Sequence, residues 1–374
     1  MKIFINALSA RRGGGKNYVQ YLLNHFPKSD NDEIILAAPS SLIVPFGRKN
    51  IKRIELNSLI YTNPFFRRLW EIYLLPRTLI KLDIDVLFCP GGLFGGPVPN
   101  NCKLVTTFQN MMPFDQKQRA KYPFGYMRFR NWLLEKQLLD TMIRSDLVIF
   151  ISHYAKLFID KKSKKIINNS VVIPHGVDQI FVKDPNNKLP LPIDFPKEYL
   201  LYISTIEFYK CQIEVIESYA ILKKRKTNIP KLIFIGPEYK PYAKLVRKSI
   251  IENQLQNDIL ILKAIPNSDL PALYQNATIN IFASMTENCP LILLEALASG
   301  RPLVASSYQP MPEFGLDFVE YFNPSKPDEL ADLIENIIDN KELSDRLSKK
   351  SLERSRDFDW SVSAIKTWTA IKSL

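Results

Sequence analysis

Two carboxylates eight positions apart, Glu287 and Glu295, lie in the run ENCPLILLEALASGRPLVASS, residues 287–307. An ionised carboxylate accepts two hydrogen bonds from a vicinal diol, which is how a ribose is commonly gripped. The run reads as strand end, loop, helix and strand. INIFAS at 279–284 is β-like, Leu291 to Ser299 is helix-like, Gly300 suits a helix stop, and PLVASS resumes an extended pattern. Glu287 therefore falls in a loop and Glu295 on the first turns of a helix. At the carboxyl edge of a parallel sheet, such a loop and helix start form a crevice whose backbone N–H groups can hold a phosphate. The plainer alternative is a solvated Glu287 and a Glu295 that complements the helix dipole; the flanking sequence favours a ligand.

Other residues offer complementary chemistry. Lys210 follows a strand in YISTIEFYK and precedes a helix carrying Ile213 and Ile216, so its cation could reach the same crevice and neutralise a diphosphate. Alone, it would be one surface lysine among many. Gly13 to Gly15 lie between a strand and a helix, where bare backbone can approach a phosphate or sugar closely. Their spacing is not GxGxxG, and Asn17 follows Lys16 where a P-loop needs Ser or Thr, so a plain turn stays open beside a ligand loop.

The stretch from Lys117 to Trp132 interleaves Lys117, Arg119, Lys121, Arg128 and Arg130 with Tyr122, Phe124, Tyr126, Phe129 and Trp132. That mixture suits the headgroup layer of an anionic membrane, single-stranded nucleic acid, or a helix packing its aromatics inward. His153 and His175 read as loop or backbone-bonded histidines, and no histidine pair has metal-ligand spacing. Four scattered cysteines suggest neither disulfides nor a zinc knuckle, which fits a reducing compartment.

These residues need a scaffold. The 374 residues suffice for two domains, and strand-like runs alternate with helical patterns throughout, which argues for α/β units with parallel sheets. Residues 2–8, 33–38, 85–89, 103–108, 146–152 and 171–174 read as strands of a first domain. Residues 199–204, 231–236, 259–264 and 279–284 read as strands of a second. The Pro- and Asn-rich segment 184–198 reads as a linker. The expected domains are 1–184 and 185–357, with 358–374 returning to pack on the first. A terminal helix should bury Val362, Ile365, Trp368 and Ile371. Charge is uneven: residues 1–185 carry 27 Lys and Arg against 14 Asp and Glu, whereas residues 186–374 carry 23 against 24. A basic half can attract nucleic acid, an anionic bilayer or a phosphorylated acceptor. No stretch has the roughly 18–20 apolar residues of a membrane span, and the amino terminus reads as a strand and not a signal peptide.

With these pieces in order, the chain resembles the retaining GT-B glycosyltransferases of family 4 (glycosyl transferases group 1). Glu287 and Glu295 fit that family's E-x7-E signature, and EALASGRPLVAS fits its continuation. YISTIEFYKCQIEVIESYA, ILKAIPNSDLPALYQNATINIFAS, SSYQPMPEF, FDWSVSA, ISHYAK and IPHGVD also fit, and TFQNMMPFD is similar to members that build bacterial surface polysaccharides such as O-antigen, capsule and lipopolysaccharide. The resemblance implies two Rossmann-like domains facing each other across a cleft. It implies that Glu295 binds the ribose hydroxyls of a nucleotide-sugar donor, Glu287 the sugar hydroxyls and Lys210 the pyrophosphate. Backbone around Cys289, Leu291 and Ile292 would complete the contacts, Ile265 and Pro266 would border the base, and Gly14 and Gly15 would close over the donor. Three positions depart from the family pattern. Thr205 replaces a frequent Arg, Pro290 replaces a glycine and has no N–H to donate, and Gln109-Asn110 stands on the acceptor side where many members have His-Asp.

The implied reaction is metal-independent transfer, with retention, of a sugar from UDP or GDP to a hydroxyl of a lipid-linked or polysaccharide acceptor. The donor is a co-substrate and no cofactor is expected. The basic N-terminal half would dock peripherally on the cytoplasmic face of the inner membrane, with no nucleic-acid partner. The rivals are a GT-B nucleotide-sugar epimerase and a non-catalytic, basic nucleic-acid-binding protein.

Overall fold

Short runs of β-branched, leucine and aromatic residues between helices build two parallel sheets in the computed structural model, which describes residues 1–11, 13–27, 31–163, 167, 169–184, 189–191 and 195–374. The chain divides into two units: Met1–Arg119, Pro123–His175 and Trp360–Leu374 form the first, Ala120–Tyr122 and Gly176–Asp359 the second.

In the first unit the strands are β1 (Lys2–Asn6), β2 (Glu33–Ala37), β3 (Ile51–Arg53), β4 (Val86–Cys89), β5 (Lys103–Phe108), β6 (Leu147–Phe150) and β7 (Ser170–Val172), in the order β3-β2-β1-β4-β5-β6-β7. In the second they are β8 (Tyr199–Ile203), β9 (Lys231–Ile235), β10 (Ile259–Leu262), β11 (Ile279–Phe282), β12 (Leu303–Ser306) and β13 (Glu320–Phe322), in the order β10-β9-β8-β11-β12-β13. Every pairing is parallel. Helices cover both faces of such sheets, so the central strands are buried and almost wholly apolar: Val86–Cys89, Leu147–Phe150 and Ile279–Phe282 are buried at each position, with Asn280 the one polar residue among them. Strand order reverses between β1 and β4 and between β8 and β11, and the carboxyl ends of strands at such switch points are where open α/β sheets bind ligands.

The sequence reading names neither β3 nor β13. Both are three-residue edge strands, IKR and EYF, too short and too polar for an alternating pattern to stand out. The expected 184–198 linker falls partly outside the described residues, at 185–188 and 192–194. Residues just before it are held by the second unit, where the Val177 N–H donates to the Phe358 carbonyl at 3.1 Å and the Lys183 N–H to the Ala298 carbonyl at 2.9 Å.

The last helix, Trp360–Lys372, completes the first unit. The Trp368 Nε1–H donates to the Leu22 carbonyl at 3.0 Å, and its ring meets Phe26 edge-on at 4.8 Å. Its buried face holds Trp360, Ala364, Trp368 and Ile371, while Val362 and Ile365 are exposed, which corrects the expected stripe. A run of i+3 steps drifts off the face of a helix with 3.6 residues per turn; a stripe mixing i+3 and i+4 stays on it.

Candidate functional site

The two loops that leave the switch point of the second sheet carry Lys210 and Glu287. After β8 the chain makes a single 3-10 turn, Phe208–Lys210; after β11 it runs through 283–290 into the helix Leu291–Ala298. The Tyr209 carbonyl accepts the Met285 N–H at 2.8 Å, which clamps the loops together. The Lys210 carbonyl accepts the buried Tyr202 hydroxyl at 2.6 Å, and Cys211 turns the chain into the next helix with φ +56°. Lys210 is buried, and its ammonium bonds the Glu287 carboxylate and lies 5.1 Å from the ring centroids of Tyr209 and Phe282. A buried cation needs a compensating anion, and here that anion comes from the loop of the neighbouring strand. The pair can therefore exchange: a more highly charged anion, such as a diphosphate, can take the ammonium while Glu287 turns to hydroxyl donors.

Glu295 lies on the second turn of the Leu291–Ala298 helix, about 6 Å along the axis from its start. It stays partly exposed and accepts a hydrogen bond from the Tyr274 hydroxyl at 3.2 Å. Burial pushes its carboxyl up to about 8, against the Tyr274 bond and with added repulsion from Asp178. Gly300, at φ +59°, ends this helix.

The remaining candidates distribute as follows. The Thr205 carbonyl accepts Gln212 Nε2–H at 3.0 Å at the foot of the first loop. Cys289, Leu291 and Ile292 are partly exposed where the helix begins; the Leu291 N–H donates to the Cys289 carbonyl at 3.0 Å, so that amide is committed within the turn. Pro290 lacks a donor, but its carbonyl accepts from the Leu293 and Leu294 N–H groups at 2.9 and 3.2 Å and so starts the helix. Half-buried Ile265 and exposed Pro266 follow β10, two strands and roughly 10 Å from β8. In the first unit a helix begins at Gly13, with φ +61°. A Cβ on Gly15 would lie 3.4 Å from Gln109 Oε1, and Gln109 Nε2–H donates to the Pro90 carbonyl at 2.7 Å. Asn110 is exposed, its side-chain oxygen accepting the Met112 N–H at 3.1 Å. The structure thus joins Lys210 to Glu287, puts Glu295 on the helix leaving the Glu287 loop, and brings Gly15 to Gln109.

Sequence reasoning missed Tyr274 and Asp178. Tyr274 reads as one more apolar position of its helix, and Asp178 is quoted within IPHGVD with no role; only the fold brings both beside Glu295. It also missed a buried pair near the end of β1, where Asn6 Nδ2–H donates to Glu71 Oε1 at 2.9 Å and burial pushes the Glu71 carboxyl up.

Two parallel Rossmann-like sheets with a basic and an acidic side chain joined at a switch point define the GT-B class of glycosyltransferases. The chain belongs to glycosyltransferase family 4: residues 12–179 match the family described as Glycosyltransferase Family 4, and residues 184–354 match Glycosyl transferases group 1. It is similar to O-antigen chain mannosyltransferase B of Escherichia coli, 23% identical over 277 residues, covering 73% of this chain and 71% of that protein. Among solved structures, sucrose-phosphate synthase from Thermosynechococcus elongatus superposes with a TM-score of 0.75 at 16% identity, over 100% of this chain and 98% of that one. HepE of Anabaena, in complex with UDP and glucose, gives 0.71 at 16% identity over the whole of both chains. The protein is a glycosyltransferase.

Proposed function

We propose that the protein transfers a sugar, with retention at the anomeric carbon and without a metal, from a nucleoside-diphosphate sugar to a hydroxyl of a lipid-linked or polysaccharide acceptor in bacterial surface-polysaccharide synthesis. The buried Lys210 ammonium bonded to Glu287 carries this reading, because leaving-group departure puts negative charge on the β-phosphate and a desolvated cation stabilises that charge strongly. Lys210 holds the diphosphate, Glu287 the hydroxyls of the sugar and Glu295 those of the ribose. Backbone at Thr205, Cys289, Leu291 and Ile292 and the surfaces of Ile265 and Pro266 frame the donor. In the first unit, bare backbone at Gly14 and Gly15 serves the donor, and Gln109 and Asn110 serve the acceptor. The acceptor oxygen attacks the face the diphosphate leaves, and the departing phosphate oxygen takes its proton, so no separate protein base is required.

The similarity to an E. coli O-antigen mannosyltransferase supports an O-antigen type of product, and the UDP complex of HepE supports a nucleoside-diphosphate donor. A basic N-terminal half suits a peripheral enzyme at the cytoplasmic face of the inner membrane.

The test is a thermal-shift screen with UDP and GDP. One of them at about 100 times its dissociation constant should stabilise the protein by roughly 2.7 kcal/mol, and Lys210→Ala or Glu295→Ala should abolish the shift. Turnover should survive EDTA, and NMR of the product should show the donor's anomeric configuration. Conversion of donor to an epimer without acceptor would favour the epimerase, and an inverted product or a shift unchanged in both variants would overturn the assignment.

A further inference from the structure

Large apolar side chains left in solvent gather on two helices of the first unit, Pro64–Tyr73 and Tyr126–Arg144, and on the loop just before the second. On Pro64–Tyr73, Phe65 (65% exposed), Leu69 and Tyr73 (62%) recur at i, i+4 and i+8 on the solvent side, while Trp70 faces the core. Capping sets where that helix starts: Asn63 accepts the Phe65 N–H at 2.8 Å, and Pro64 occupies the first turn. Phe124 (91% exposed) and Phe129 (61%), with Tyr126, Trp132 and Leu133, stand outward at the second helix.

The two helices are neighbours. The loop through Phe94, Gly95 and Gly96 is wedged between the helices. A Cβ on Gly96 would lie 1.9 Å from the Glu71 carbonyl of the first helix, and the Phe94 N–H bonds Thr141 Oγ1 of the second at 3.2 Å. Beside this loop a cavity of about 210 Å³ is walled by Arg68 of the first helix and by Lys136, Gln137 and Asp140 of the second, with Phe94 beneath.

The unpaired charge on this surface is mostly positive. Pro64–Tyr73 and the following Leu75–Leu82 carry Arg67, Arg68, Arg77 and Lys81, and their single acid, Glu71, is buried. On Tyr126–Arg144, Glu135 is tied to Arg119 and Lys162, and Asp140 to Arg144 at 2.9 Å. Arg128 stacks over Phe124 at 4.1 Å and Lys136 over Trp132 at 4.2 Å, so cations are held at the same height as the exposed rings.

We infer that the outward sides of these two helices form one surface that docks on an anionic lipid bilayer, with the rings entering the headgroup layer and Arg68, Lys81, Arg130 and Lys136 meeting lipid phosphates. Charge complementarity together with apolar stripes selects this occupant. Nucleic acid would use the cations but has no use for Leu69, Leu74 and Ile80. The inference rests on the reading of the acceptor as membrane-borne, and it adds the Pro64–Tyr73 helix, which the charge pattern alone does not reveal.

The full chain carries its own probe. Of its four tryptophans, Trp70, Trp360 and Trp368 are buried and Trp132 is exposed. Vesicles of phosphatidylcholine with about one third phosphatidylglycerol should therefore shift tryptophan emission to the blue at low salt, and Trp132→Phe should remove the shift. Phe65→Ser/Leu69→Ser/Tyr73→Ser should lower co-flotation with these vesicles roughly tenfold or more, with the melting temperature and the nucleotide thermal shift unchanged. If that triple variant does not fold, Arg68→Glu/Lys81→Glu provides the same test through charge. Wild-type binding by both variants, equal binding to neutral vesicles, or tighter binding of a single-stranded oligonucleotide than of vesicles would overturn the inference. The nucleotide shift keeps the outcomes separate: its loss in the wild-type protein condemns the donor site, whereas its persistence without vesicle binding condemns only this surface.

Discussion

Glu295 joins an unfavourable environment to a useful one. Its carboxyl is pushed up to about 8 by burial, whereas an unfolded chain would ionise it near its ordinary 4.5. The folded protein therefore holds a proton that the unfolded chain releases. The stability this group contributes is complete below about 4.5 and is lost as pH rises through 8. Above pH 8, Glu295→Gln should melt later than wild type, by roughly 1–2 kcal/mol once the partial exposure of the side chain is allowed for. Binding runs the other way. A diol donates to the ionised carboxylate, so nucleoside-diphosphate affinity should rise between pH 6 and 8, approaching tenfold per pH unit, and stay flat in Glu295→Gln. Tyr274→Phe removes the hydroxyl that favours ionisation and should shift the profile to higher pH. Calorimetry in two buffers of different ionisation enthalpy reads the proton directly, and a wild-type affinity that is flat over this range would count against the diol role. The glutamates and Lys210 were legible in the sequence because their types, spacing and flanking elements recur as a motif. Tyr274 and Asp178 were not, because what distinguishes them is whom they meet after folding.

At the level of elements, the loop that carries Lys210 depends on how closely β8 and β9 approach at their carboxyl ends. Gly236 follows β9 with φ +152°, and a Cβ there would lie 2.2 Å from the Ser204 carbonyl oxygen and 2.8 Å from its carbon, both backbone atoms that cannot rotate away. Gly300 also has a positive φ, +59°, but the atom nearest its Cβ, at 3.0 Å, is the flexible Lys183 Cδ. Gly236→Ala should therefore cost about 2–4 kcal/mol by urea unfolding and weaken nucleotide binding, because it pushes the Ser204–Lys210 loop. Gly300→Ala should cost only about 1 kcal/mol and leave binding unchanged. Equal effects would mean that the β8–β9 contact is soft. The same scale explains what was readable in the fold. Central strands buried on both faces announce themselves as apolar runs, while β3 and β13 are three residues long, lie at sheet edges and carry charged residues, so no apolar run marks them.

For the molecule as a whole, the first unit is finished by the last residues of the chain. The chain leaves it after His175 and re-enters at Trp360, and Val177 and Asp359 form a bridge beside the two crossings. His175 marks this closure: its ring lies 4.8 Å from that of Tyr18 and 4.9 Å from that of Trp360, so segments from the start, middle and end of the chain converge on one buried imidazole. Burial lowers its pKa from 6.5 to about 3, and its Nδ1 finds no hydrogen-bond partner. Above pH 6.5 the ring is neutral in both the folded and the unfolded chain. Between 6.5 and 3 the unfolded chain binds a proton that the folded one refuses, so stability falls as pH falls, by up to about 1.4 kcal/mol per pH unit. This is opposite in sign to Glu295, and the two belong to different units. Melting followed by hydrogen exchange should therefore show β1 and β4 losing protection first on acidification from pH 7 to 5, while β8 and β11 hold. His175→Phe keeps an aromatic ring between Tyr18 and Trp360 and should flatten the acid dependence of the first unit alone. If both units soften together in the variant as in the wild type, the acid sensitivity has another source and His175 is only a packing residue.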